Sequence, residues 1–246
     1  MQGWLKLTWV EMKLYLREPG IYFGIAFPLA FLLIFGAIYG NTSSAFTGGR
    51  PALDLYVPAY IAMLIASYSL FSLPITLITY RERGILFRQQ ATPLRPQTIL
   101  SAQVGANFLM TTICALILII LGKALYHLDV TLSIFNVLLA YILGVLSMYS
   151  FGFLLASLLP NARMASVVSI ILFIAMLYLS GVFIPLAIFP SALREAVQFL
   201  PLTHVVVLLQ DLWMGASWLS HWGNVLALLG ILLVCLFVSV KLFHWR

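Results

Sequence analysis

Residues 133–158 have the sequence SIFNVLLAYILGVLSMYSFGFLLASL, which contains no charged side chain. A membrane-spanning helix needs about 20 largely apolar residues, so this run is long enough to cross a bilayer. The short connection that follows, 159–163, contains Pro160 and Arg163, and another long apolar run begins at residue 164. Two such runs joined by a minimal turn predict a hairpin of transmembrane helices.

The rest of the chain has the same character. Apolar residues make up 63% of the 246 positions and charged residues 8%, whereas soluble domains have about 25% charged residues. No single globular core could hide so many apolar side chains, but lipid can solvate them. The sequence therefore predicts an all-α membrane protein, a single transmembrane domain over 1–246 with six spans. The predicted spans are 21–40, 55–79, 99–122, 133–158, 164–184 and 223–243.

The segment before the first span, 2–18, has the pattern of an amphipathic helix on the membrane surface. Its apolar face at helical spacing is Leu5, Trp9, Met12 and Leu16, beside a basic stripe of Lys6, Lys13 and Arg17. Pro19-Gly20 then interrupts the helix. The alternative is a plain cytoplasmic extension of the first span.

Before the last span, the region 185–222 is too apolar for an ordinary loop and is interrupted by prolines at 185, 190 and 201. It predicts two short helices, 190–199 and 202–214, that form a re-entrant hairpin at the outer face. A seventh span through 196–214 is the alternative. That span would place polar side chains at membrane depth and the C-terminus outside, which the distribution of basic residues disfavours.

Basic residues in the connections predict the orientation, because Lys and Arg gather on the cytoplasmic side. With both termini inside, ten of them are cytoplasmic and three are outside. The cytoplasmic set is Lys6, Lys13, Arg17, Arg81, Arg83, Arg88, Arg95, Arg163, Lys241 and Arg246, and the outer set is Arg50, Lys123 and Arg194. This bias also accounts for the net charge of +6, so the positive charge does not indicate binding to nucleic acid.

The sequence lacks the motifs that are typical of ATP hydrolysis and of metal binding. The chain has no GxxxxGK phosphate loop, no HExxH and no paired cysteines, since Cys114 and Cys235 lie in separate apolar runs. We therefore expect no catalytic residue, no metal site and no ATP hydrolysis by the chain itself. The acids lie outside the predicted spans or at their rims, which disfavours an ion-coupled carrier. They are Glu11, Glu18, Asp54, Glu82, Asp129, Glu195 and Asp211.

The most informative connection is 80–96, with the sequence YRERGILFRQQATPLRP. It predicts a short amphipathic cytoplasmic helix over 81–92 that either offers apolar side chains to a soluble partner or anchors the chain at lipid headgroups. The residues that either interpretation involves are Arg81, Glu82, Arg83, Gly84, Ile85, Leu86, Phe87 and Arg88.

This connection resembles the loop between spans two and three in the membrane subunits of type-2 ABC exporters. The matching residues are Glu82, Gly84 and the Thr-Pro-Leu of 92–94. The segments SGVFIP at 180–185 and LPLTH at 200–204 are similar to the outer hairpin of that family. The surface helix, the six spans and the chain length extend the resemblance over essentially the whole sequence.

The resemblance implies a permease subunit of an ATP-driven exporter in a bacterial or archaeal cytoplasmic membrane. Two permeases, identical or homologous, would stand side by side in the lipid and dock on two copies of a separately encoded cytosolic ABC ATPase. That ATPase would bind ATP and Mg²⁺, and this chain would hold no cofactor. The surface helix and the 81–92 helix would couple nucleotide-driven closure to the spans, with the pathway lined by spans one, two and five. In the family, Glu82 would steady the coupling helix.

The substrate class stays open at this stage, and the sequence identifies no substrate-binding residue. A drug-like, peptide or lipid-type amphiphile is favoured, because the spans are apolar and no aromatic track for sugars is evident. Trp213, Trp218 and Trp222 lie near the predicted outer interface, where a tryptophan belt is expected anyway. The alternatives are a polysaccharide or lipid-linked glycan exporter and a non-transporting membrane assembly protein.

Overall fold

The computed structural model describes residues 2–15, 19–39, 51–84, 96–126, 128 and 134–242. Within these ranges the chain is built from helices, and the prediction of an all-α membrane protein is confirmed. The helices are α1 (Gln2–Tyr15), α2 (Pro19–Tyr39), α3 (Leu53–Glu82), α4 (Pro96–Tyr126), α5 (Ile134–Leu158), α6 (Ala162–Leu179), α7 (Ser191–Phe199), α8 (Pro201–Trp213) and α9 (Trp222–Leu242).

Each of the six predicted spans coincides largely with one of the helices α2 to α6 and α9. In the described ranges, five helices are long and apolar enough to cross a membrane: α3, α4, α5, α6 and the helix that ends at Leu242. α2 has 21 residues, and its apolar described part is Ala26–Tyr39. α6 ends at Leu179 although its apolar run continues to 184, because Gly181 adopts a φ of +87° that stops the helix.

α3 lies at the centre of the bundle and contacts α2, α4, α5, α6 and α8. Nearly all of its side chains between Val57 and Leu70 are buried. At mid-length, Tyr68–Ser72 forms one turn of π-helix. The Ser69 hydroxyl donates to the Met148 carbonyl of α5, and the Ser169 hydroxyl of α6 donates to the Leu70 carbonyl. These hydrogen bonds satisfy two fully buried serine hydroxyls and connect α5 and α6 to the irregular turn.

α1 packs along α4. Its buried side chains include Thr8 and Glu11, whereas Trp9, Val10 and Leu14 are exposed. An apolar face turned away from the bundle is what a surface helix needs for contact with lipid. The position of α1 on the membrane surface stays a prediction.

α7 and α8 are two short helices bent by 102° at Leu200. The ends of α7 lie within one residue of the predicted helix 190–199, and the ends of α8 lie within one residue of the predicted helix 202–214. α8 packs against α3, α5 and α9 through a continuous apolar face that includes Leu202, Val205 and Leu209. This geometry is compatible with a re-entrant hairpin or with a broken span, so the re-entrant topology stays a prediction.

Candidate coupling site

The C-terminal end of α3 meets three other parts of the chain. Its first link is to α1, where the Tyr80 hydroxyl donates a hydrogen bond to Glu11 Oε2 at 2.9 Å. Glu11 is only 4% exposed. A buried carboxylate is costly unless it is hydrogen-bonded, so this pair fixes α1 to the end of α3.

Arg81 makes the second link. Its Nη2 donates to the Leu159 carbonyl at 2.6 Å and to the Pro160 carbonyl at 3.1 Å. These carbonyls follow the last turn of α5, where no later helical N–H is available to them. The guanidinium therefore satisfies backbone acceptors at the negative end of the α5 dipole.

Glu82 makes the third link, to the first turn of α6. Its Oε1 accepts a hydrogen bond from the Ala162 N–H at 3.0 Å. The neighbouring Asn161 side chain accepts from the Met164 N–H at 2.8 Å. The two side chains satisfy two of the otherwise unpaired amides at this helix start. We call the three links made by Tyr80, Arg81 and Glu82 the α3 clamp.

The α3 clamp corrects one boundary of the predicted coupling helix. Arg81 and Glu82 are the last residues of α3, and Arg83 and Gly84 form a turn in which Gly84 has a φ of +62°. This left-handed conformation, which glycine adopts without steric cost, ends the helix. A separate helix therefore does not begin at residue 81. Ile85, Leu86, Phe87, Arg88 and the rest of the predicted 81–92 helix lie outside the described residues.

Sequence reasoning missed three members of this site: Glu11, Tyr80 and Asn161. Asn161 could have been found, since asparagine directly before an apolar run is a typical helix start signal. Nothing in the sequence pairs Glu11 with Tyr80, which are 69 positions apart. In the described residues, no group of three His, Cys, Asp or Glu side chains could hold a metal ion.

A second feature is a set of aromatic rings on α2, on α3, on α6 and in the turn after α6, within the predicted spans one, two and five. Phe27 lies 4.8 Å from Phe31 between ring centroids, and Phe31 lies 5.6 Å from Phe35. Other rings extend this row on both sides at centroid distances of 4.8 to 6.4 Å. We call the set the aromatic ladder: Phe27, Phe31, Phe35, Tyr39, Tyr56, Tyr60, Phe71, Phe173, Tyr178 and Phe183.

The aromatic ladder was not expected from the sequence, where no aromatic track was evident. On α2 its phenylalanines recur every four residues, but the partners on α3 and α6 are distant in sequence. Helix packing alone brings them together. Centroid distances of 4.5–7 Å are those at which aromatic pairs attract each other, so the rings form one connected apolar surface.

Comparison with known families identifies the family to which the chain belongs. The sequence model of one family, described as ABC-2 type transporter, matches residues 2–214. No individual curated protein matches the chain. The match includes α1, the α3 clamp, the aromatic ladder helices and α8. In this family the membrane component is a permease and not itself the catalytic ATPase. The chain is therefore a multi-pass membrane protein that belongs to the ABC-2 type transporter family.

Proposed function

We propose that the chain is the permease subunit of an ATP-driven exporter in a bacterial or archaeal cytoplasmic membrane, with both termini in the cytoplasm. The α3 clamp is the observation that carries this proposal. It connects the segment after Gly84, the predicted docking site for an ATPase, to three parts of the membrane domain. A permease without an ATPase site of its own needs such a connection to receive mechanical work.

The clamp can transmit movement from the docking segment because its hydrogen bonds are short. In addition, the backbone partners of Arg81 and Glu82 lie at helix ends. A displacement of the 85–92 segment acts first on the last turn of α3. Tyr80 passes that displacement to α1 through Glu11, and Arg81 and Glu82 pass it to the α5–α6 turn. Rigid helices joined by hydrogen bonds are the physical elements through which distant sites are coupled.

The proposed partners are those that membership of the family implies. Two copies of a cytosolic ABC ATPase bind ATP and Mg²⁺, and a second permease, identical or homologous, completes the pathway. α2 and α6 leave large apolar side chains exposed, among them Ile34, Ile38, Ile171 and Tyr178. These apolar side chains are compatible with contact with lipid or with the second permease.

The aromatic ladder supports an amphiphilic substrate. Six of its ten rings are phenylalanines, which offer no hydroxyl to a sugar. Of its four tyrosines, Tyr60 is fully buried, whereas Tyr39 and Tyr178 are exposed. Such a surface suits the apolar or aromatic part of a drug-like, peptide or lipid-type molecule better than a glycan. A polysaccharide or lipid-linked glycan exporter is the alternative within the same family.

The decisive experiment is co-expression with an ABC ATPase encoded beside the gene, followed by co-purification. We expect a stable complex that hydrolyses ATP, whereas the chain alone has no ATPase activity. A non-transporting assembly protein would show neither substrate-stimulated hydrolysis nor transport after reconstitution. ATP hydrolysis by the isolated chain, in a preparation free of contaminants, would contradict the proposal.

A paired variant tests the docking segment directly. Phe87→Ala should leave membrane insertion intact and weaken ATPase binding roughly thirtyfold, because an apolar anchor at a hot spot is worth about 2 kcal/mol or more. The matched control is Phe199→Ala, since this phenylalanine is 87% exposed and lies on α7, far along the chain from the docking segment. Equal retention of the ATPase by both variants would indicate that 81–92 only anchors the chain at lipid headgroups.

A further inference from the structure

A cavity of about 550 Å³ lies between the α7–α8 hairpin and the start of α9. Its volume falls within the range of about 300–1,000 Å³ typical of small-molecule sites. The residues around it all come from 186–224. The cavity is therefore separate from both the α3 clamp and the aromatic ladder helices α2, α3 and α6.

Positive charge in this cavity is not balanced by a carboxylate. Arg194 lines it, and none of the lining residues is Asp or Glu. His221 also lines it, but its Nδ1 lies 3.5 Å from Asp211 Oδ2, so any charge on that ring has a counter-ion within the protein. Arg194 makes no ion pair in the described part of the chain. The cavity thus presents the guanidinium of a solvent-exposed arginine that has no carboxylate partner among the described residues.

The guanidinium is held in place and keeps donors available. Its two hydrogen bonds both use Nη2, which donates to the Ala187 carbonyl at 3.0 Å and to the Phe189 carbonyl at 3.2 Å. The N–H groups on Nε and Nη1 have no acceptor among the described residues. A guanidinium fixed in this way is pre-organised to bind an oxyanion with two parallel N–H groups.

A second polar group in the cavity has no hydrogen-bond partner. Thr203 lines the cavity and is 4% exposed, yet its Oγ1 makes no hydrogen bond in the described structure. A buried hydroxyl without a partner costs free energy, and a ligand oxygen would remove that cost. This orphaned hydroxyl is an observation independent of Arg194 and points to the same occupant.

Hydrogen bonds of one histidine in the cavity wall connect the three helices α7, α8 and α9. His204 on α8 meets the Asn224 side chain of α9 at 2.8 Å through Nδ1, and its Nε2 donates to the Gln198 carbonyl of α7 at 2.8 Å. Apolar side chains, including Leu186, Val197 and Val207, form the rest of the lining. A fixed site with an anion-binding corner and apolar walls fits a molecule that carries both an anionic group and a hydrocarbon part.

We propose that this cavity binds the phosphate headgroup of a phospholipid, with Arg194 and Thr203 donating to the phosphate oxygens and the apolar wall contacting the start of an acyl chain. The inference does not depend on the ATPase or on transport. It assigns to the hairpin a lipid-binding role in addition to the pathway of the proposed exporter. The phosphate anion, and not the acyl chain alone, is the recognised group.

The test is a titration of the full chain in detergent, followed by native mass spectrometry, with dioleoylphosphatidylglycerol as the probe. We expect Arg194→Gln to weaken binding about tenfold or more, because a hydrogen bond to a charged group is lost. Thr203→Val should weaken it several-fold while the fold is kept, since the hydroxyl has no protein partner to lose. Thr203→Ser, which retains the hydroxyl, should bind as the unchanged protein does.

Three comparisons decide the outcome. Dioleoylglycerol, which has the same acyl chains and no phosphate, should bind much more weakly, and equal affinity would overturn the proposal. Arg163→Gln removes an equal charge from an exposed position in the first turn of α6. A loss of lipid affinity as large as that caused by Arg194→Gln would also overturn the proposal. Displacement of the lipid by millimolar inorganic phosphate would instead assign the site to a free anion and refute the lipid.

Discussion

At the scale of single residues, Arg81 and Glu82 are adjacent side chains of opposite charge that contact the adjacent ends of α5 and α6. The arginine contacts carbonyls after α5, and the glutamate contacts an amide at the start of α6. A helix carries partial negative charge at its C-terminal end and partial positive charge at its N-terminal end. Each side chain therefore meets the helix end of opposite sign, so exchanging the two residues would reverse both interactions.

The Glu82 contact yields a graded prediction. Glu82→Ala removes the acceptor for the Ala162 N–H and should lower stability by about 1 kcal/mol, as the loss of a helix cap does. Glu82→Gln keeps an acceptor oxygen and should retain most of that stability. The measurement is thermal unfolding in detergent, together with ATPase coupling in the reconstituted complex. If Gln proves as destabilising as Ala, the hydrogen bond to Ala162 is not what Glu82 contributes.

Gly152 gives a second prediction at this scale, because it lies where α5 crosses the π-helical turn of α3. A Cβ at this position would overlap the Ser69 carbonyl oxygen, which belongs to the backbone and cannot rotate away. Gly152→Ala should therefore lower stability by about 1–3 kcal/mol. Gly230→Ala is the matched control, since a Cβ on α9 there meets no atom within 4 Å. Equal unfolding temperatures for the two variants would contradict the close α3–α5 approach.

At the scale of helices, α3 combines two roles that are spatially separate. Its middle, with the π-helical turn, is packed against α5 and α6 and contributes Tyr60 and Phe71 to the aromatic ladder. Its C-terminal end forms the α3 clamp. Because a π-helical turn is a common feature of functional sites, we expect α3 to connect the proposed docking segment with the proposed substrate surface.

The aromatic ladder is tested at its centre, where Phe31 contacts Phe27, Phe35, Tyr60 and Phe183. If the ladder contacts the substrate, Phe31→Ala should raise the substrate concentration for half-maximal ATPase stimulation about threefold to tenfold, since an aromatic contact is worth about 0.5–1.5 kcal/mol. Phe135→Ala, at a 70% exposed position on α5, is the control. An unchanged concentration for Phe31→Ala would place the pathway elsewhere.

At the scale of the whole molecule, hydrogen bonds identify which connections share an end of the bundle. The C-terminal end of α3, the α5–α6 turn and α1 meet at one end. At the N-terminal end of α3, the Gln210 side chain of α8 donates to the Leu55 carbonyl at 3.1 Å. The α7–α8 pair therefore lies near the N-terminal end of α3, and the α3 clamp lies at its C-terminal end. The predicted orientation requires this separation, because it places the α7–α8 pair at the outer face and the clamp at the cytoplasmic face.

The orientation itself is tested by labelling single cysteines in intact cells with an impermeant thiol reagent. Cysteines at Ser44 and Ser191 should react from outside, whereas one at Gln90 should react only after the membrane is permeabilised. The native Cys114 and Cys235 are buried and should stay unlabelled. Outside labelling at Gln90 would reverse the orientation that the basic residues predict.

The sequence by itself determined the all-α membrane class and placed most helix ends within a few residues, because both depend on local properties: apolar run length, prolines and charge. Through the resemblance to a family pattern it also singled out Glu82 and Gly84, which lie at the C-terminal end of α3, while their role in coupling stays a prediction. Even so, the glycine that ended α6 at Leu179 was overlooked, since the apolar run continues past it.

Only the tertiary structure decided what these residues contact. Glu82 caps α6 across 80 positions of sequence, and Glu11 pairs with Tyr80. The aromatic ladder forms from three helices and the turn after α6. Arg194 and the unpaired Thr203 line one cavity although neither belongs to a recognisable motif. Helix packing sets these distances, and no periodicity within a single segment contains the information about which faces of distant helices meet.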